Sequence, residues 1–141
     1  MKKLQKQATT LAALTAAVTL ALAAAPAQAA PGDEIIGYPG PDGLIWIAEK
    51  TGDGGFVSGG LAPDLDTFVN FGCADGGSIE VAFHLVNHPD RDPAPFTVDC
   101  PDSTPTRVTV PLGTGLRGGF VATVTASSPS VRWGATVVQP E

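Results

Sequence analysis

Every second residue is apolar across SIEVAFHLV, where Ile79, Val81, Phe83 and Leu85 alternate with Glu80, Ala82 and His84. That period of two describes a strand with one face buried, and no helix can use it. The same pattern recurs along the chain. Val69, Phe71 and Cys73 share a face in FVNFGC, and Phe96, Val98 and Cys100 do so in FTVDC. Val108, Val110 and Leu112 align in RVTVPL, as do Phe120, Ala122, Val124 and Ala126 in GFVATVTA. VRWGATVV turns Val131, Trp133, Ala135 and Val137 one way. LIWIAEK is apolar on both faces for four residues, which predicts a central strand, and GFVSG at Gly55–Gly59 is a weaker strand candidate. The turn-rich stretches GDGG, ADGG, HPDRDPAP, PDSTP, GTGLRGG and SSPS separate these segments. Helical signals are nearly absent; the best is a single turn at Ala62–Phe68, with Asp64 as its cap. About seven strands at this spacing predict an all-β domain: a two-sheet antiparallel β-sandwich, immunoglobulin-like or jelly-roll-like, with one disulfide.

The sandwich is expected over residues 44–141. Ahead of it, residues 30–43 (APGDEIIGYPGPDG) hold three prolines and four glycines. They read as an extended arm with a short edge strand at Glu34–Ile36. Residues 1–29 read as a secretory signal peptide: MKKLQKQ is basic, an Ala/Thr-rich apolar run follows, and Ala27-Gln28-Ala29 offers a cleavage site. No cysteine follows that site to accept a lipid, so a freely released, extracellular protein is expected. Cleavage after Ala29 takes Lys2, Lys3 and Lys6 away. Five basic residues then face fourteen acidic ones, a net charge of −9. Such a surface repels phosphate backbones and anionic headgroups, which argues against nucleic acid and against membrane insertion after signal cleavage.

Both cysteines and both histidines fall within residues 73–100. A Cys2His2 metal site would need His84 and His88 on one ion, but four residues along a strand span about 13 Å. Zinc sites also draw their cysteines from close pairs. Strand parity puts Cys73 and Cys100 on inward faces, and an exported chain meets an oxidising compartment, so a Cys73–Cys100 disulfide is expected. The histidines are then surface residues near a hairpin tip. Immunoglobulin domains also set a tryptophan beside a core disulfide, but there it lies between the cysteines, whereas Trp133 follows both. Trp46 and Trp133 are expected in or beside the core, with sugar stacking as the sharper alternative for one of them.

Catalytic constellations are weak. There is no G-x-S-x-G elbow, and the carboxylate pairs Asp64/Asp66 and Asp90/Asp92 sit in proline-containing loops where solvated turn residues are common. Those four aspartates are the candidate ligands for calcium, the one cofactor the sequence suggests, since hard cations favour clustered loop carboxylates. No EF-hand ladder is present.

The run FGCADGGSIEVAF, with FTVDC, RVTVPLG, GGFVATVTAS and VRWGATVVQPE after it, resembles uncharacterised small secreted or lipoprotein-type proteins of high-GC Gram-positive, actinobacterial-type bacteria. The likeness covers about residues 68–139. It implies an exported β-sandwich and transfers no activity. The function expected is therefore a secreted, non-catalytic binding or envelope-associated module whose partner is an extracellular protein or glycan. Its contact loop would be Asn87–Pro95, with His88, Asp90, Arg91 and Asp92. The alternatives are an inhibitor of an extracellular hydrolase and, behind it, a small hydrolase.

Overall fold

The computed structural model describes residues 34–141, so the signal-peptide reading and residues 30–33 of the arm lie outside the described residues. Among the described residues eight strands form: β1 (Gly43–Thr51), β2 (Gly54–Ser58), β3 (Thr67–Ala74), β4 (Ser78–Leu85), β5 (Phe96–Asp99), β6 (Thr106–Gly113), β7 (Phe120–Ala126) and β8 (Arg132–Val138). They make two four-stranded antiparallel sheets, ordered β1-β8-β3-β6 and β2-β7-β4-β5. This is the two-sheet sandwich that the alternation requires. Even the weak GFVSG segment is a full partner, paired along β7 from Gly54 to Ser58. The sole helical turn among the described residues is a 3-10 turn at Pro89–Arg91. Ala62–Phe68 instead makes one turn, closed by Leu65 N–H to Ala62 O, before β3 begins.

The chain changes sheet at almost every connection; only β4 and β5 are consecutive neighbours within one sheet. Inward side chains from both sheets therefore meet in a single core. At its centre Phe71 of β3 inserts among Phe56, Phe83 and Phe96 of the opposite sheet, with ring centroids 6.0–6.3 Å apart. Such tilted and edge-on pairs suit the ring quadrupoles. Cys73 of β3 and Cys100, just past β5, are disulfide-bonded with Cα atoms 5.1 Å apart. The bond thus staples one sheet to the other.

β1 departs from expectation. It is an edge strand, and β8 and β3 are the central strands of its sheet. Its inward Ile45 and Ile47 pack on the core, while Leu44 and Trp46 are exposed on the outer face. Trp46 on that outer face has a different cause, which lies in the arm. Among the described residues no helix is long and apolar enough to cross a membrane.

Candidate binding face

Residues 34–40 do not form an edge strand. They lie across the outer face of the β1-β8-β3-β6 sheet, with Ile35 and Ile36 buried against it. Two strand glycines make room. Gly72 of β3 and Gly134 of β8 are register partners. A Cβ on Gly72 would sit 2.2 Å from the Ile35 carbonyl oxygen, and one on Gly134 would sit 2.7 Å from Ile36 Cγ2. Glycine in a strand interior commonly marks such a close approach. Side chains then lock the arm. Arg107 of β6 donates from Nε to Ile35 O (3.2 Å) and from Nη2 to Glu34 O (2.8 Å). The Trp46 indole N–H donates to Ile36 O (3.2 Å).

That last bond fixes the Trp46 ring and leaves it 48% exposed. Tyr38, 70% exposed, meets it edge-on at 5.3 Å between centroids. The sole tyrosine and one of the two tryptophans of the chain thus form an exposed ledge. Grooves run along both sides of the arm. The larger, about 500 Å³, is bounded by Glu34, Trp46, Glu49, Ser103, Pro105 and Arg132. The other, about 410 Å³, lies over Gly37, Pro39, Asn70, Arg107, Thr109 and Thr136. In its floor the Asn70 amide donates to Thr136 Oγ1 (3.0 Å) and accepts from the Thr109 hydroxyl (2.6 Å). Both volumes fall in the range of small-ligand sites.

Arg132 anchors the wall of the larger groove. Its guanidinium binds Asp75 through two nitrogens and Glu49 Oε2 through Nη1 (3.0 Å). The hydrogen bond to Asp75 holds the Arg132 proton more firmly than usual, against partial desolvation, with the charges of Glu49 and Asp75 assisting. The same bond holds the Asp75 carboxyl below its ordinary range.

The loop at residues 87–95 is built differently. Arg91 Nη2 donates to the carbonyls of Leu112 (3.2 Å) and Thr114 (2.9 Å). His88 Nε2 accepts from Arg117 N–H (3.4 Å), and the Asn87 amide donates to Arg117 O (3.0 Å). Asp92 Oδ1 accepts from Leu85 N–H (2.6 Å), and Oδ2 lies 3.2 Å from His84 Nδ1. Arg91, Asp92 and His88 thus fasten the loop to β4 and to the β6–β7 connection, and Asp90 alone of the four faces outward without such a contact. Asp64 and Asp66 are exposed near the start of β3. Among the described residues no three His, Cys, Asp or Glu side chains converge on a point where they could hold a metal ion.

The Asp92 contacts make the loop acid-sensitive. The Leu85 N–H is the main reason its carboxyl stays below the ordinary range; burial opposes this, and His84 adds to it. A group that binds its proton more weakly when folded stabilises the fold above the unfolded-state pKa of about 4 and loses that contribution as pH falls through the folded value. Melting temperature followed from neutral to acid pH should therefore drop more steeply in the wild type than in Asp92→Asn. Parallel curves would remove Asp92 from the account.

Comparison of the chain with protein-family models, curated proteins and solved structures yields no match.

The arm's place on the candidate face does not show in the alternation of the strands. Two signals were present: glycines inside the otherwise well-formed strands β3 and β8, and the outward Leu44 and Trp46 of LIWIAEK. Both say that something lies against the outer face. Trp133 is in the core as expected, whereas Trp46 stands outside it.

Proposed function

We propose that this is a secreted, non-catalytic binding module, and that it binds through the outer face carrying Trp46 and Tyr38. The exposed, rigidly held aromatic pair beside a groove carries this reading. An aromatic ring left half in water has given up hydrophobic stabilisation, and a ring immobilised before contact lowers the entropic cost of binding. A partner is an extracellular glycan or protein surface. The basic, apolar, small-residue leader supports export, and a disulfide is the kind of bond an oxidising compartment preserves.

The test is a binding screen of immobilised extracellular polysaccharides and proteins with the wild type and Trp46→Ala. At least one ligand should retain the wild type and bind the variant about tenfold more weakly, the scale of one lost aromatic contact. Equal binding of every ligand by both proteins would refute the reading. Because Trp46 projects from an edge strand, the variant should keep the wild-type far-ultraviolet spectrum.

A further inference from the structure

We infer that the groove beside Trp46 takes an amino sugar within a glycan, its ring stacked on the indole and its protonated amine directed at Glu49 and Glu34. The inference rests on the binding-module reading and names the ligand class of that same face.

Three observations carry it. First, a half-exposed aromatic side chain, Trp46, lines the groove. The Trp46 N–H is already bonded to Ile36 O, so what remains for a ligand is the ring surface. Indole faces attract cations and also the C–H face of a sugar ring. Second, the groove is lined by more carboxylate than cation. Glu34 and Glu49 line it, and Asp75 stands behind Arg132, whose guanidinium all but closes on Asp75 and Glu49. Glu49 Oε1 makes no hydrogen bond among the described residues, and no cationic side chain there pairs with the Glu34 carboxylate. Arg107, which holds the arm from β6, is turned to the arm's carbonyls. Third, the groove lining mixes the aromatic ring with uncharged as well as charged polar groups, Ser103 among them. That mixture suits a ring bearing several hydroxyls and one ammonium group. A lysine side chain would carry its charge on a flexible stem, with no hydroxyls to meet the rest of the rim. The acidic surface as a whole also draws in a polycation and repels an anionic glycan.

The experiment titrates the purified chain with glucosamine oligomers and, separately, with N-acetylglucosamine oligomers of the same length. It reads tryptophan fluorescence and heat. Glucosamine oligomers should shift the Trp46 emission and bind about tenfold more tightly than the acetylated ones, which lack the charge. Added salt should narrow that gap. Trp46→Ala should weaken glucosamine binding about tenfold, and Glu49→Gln several-fold. Glu80→Gln, on the outer face of the other sheet, removes the same charge and should change nothing. Thermal melts of all three variants confirm that they are folded. Equal affinity for the two oligomers would overturn the amino-sugar assignment, as would wild-type affinity in Trp46→Ala or an equal loss in Glu80→Gln. Tighter binding of a lysine-rich peptide would transfer the groove to protein ligands. In each case a Trp46-dependent ligand found in the wider screen would leave the binding-module reading standing.

Discussion

Breaking the Cys73–Cys100 bond is expected to lower the melting temperature by roughly 15–20 °C, corresponding to about 3–4 kcal/mol. The figure follows from the loop the bond closes, 27 residues from one cysteine to the other. Cross-linking such a loop removes much of the disorder of the unfolded chain. The native state adds a local reason. β5 has only four residues and, among the described residues, pairs only with β4. Its end is held by Cys100, whose N–H also donates to Gly77 O (2.9 Å) and whose sulfur reaches across to the central strand β3. A total stability of about 5–15 kcal/mol would lose a large share. The measurement is a pair of thermal melts, for the protein with and without reductant and for Cys73→Ala/Cys100→Ala. Amide exchange should rise first at Phe96–Asp99, since local opening concentrates where few contacts hold a segment. A shift of only about 2–3 °C would show that the sheets hold one another without the staple.

How far the fold could be read from the sequence depends on which force sets each feature. Strand identity was legible because the buried face dictates it: Ile79, Val81, Phe83 and Leu85 have one side of β4 to occupy. The disulfide was legible for the same reason, as parity put both cysteines inward. Strand order was not, because a period of two says which face is buried and not which strand lies next to it. LIWIAEK shows the consequence. Apolar residues on both faces are the mark of a central strand, yet here the outer Trp46 serves the arm and the ledge at a sheet edge. The candidate face was hidden because its parts are distant in sequence. Arg107 holds Glu34 from 73 residues away, and Arg132 reaches Glu49 across 83. The loop at 87–95 drew attention by its charges, but Arg91 and Asp92 bind the protein's own backbone. Charge in a loop shows that a polar group is present, and geometry decides what it bonds.

Trp133→Ala should cost about 3–5 kcal/mol, the largest effect expected of a single substitution here. The ring is fully buried on β8, so its removal leaves a void that close-packed neighbours fill only in part. It also does more than fill space. Its indole N–H donates to Gly52 O (2.8 Å) in the turn where the chain leaves β1 for β2. Gly52 N–H in turn donates to Val131 O (2.9 Å), two residues before the tryptophan. The ring lies so close over β2 that a Cβ on Gly54 would fall 2.8 Å from its Cζ2. One side chain thus ties β8 to the crossover between the two sheets. Trp133→Phe separates the two contributions. It keeps most of the apolar volume and loses the donor, leaving the buried Gly52 carbonyl unpaired at a cost of about 1–3 kcal/mol. Urea unfolding of both variants makes the comparison, with Trp46 remaining as the fluorescent reporter. Were the two substitutions equally costly, the hydrogen bond and not the packed ring would be what fixes the crossover.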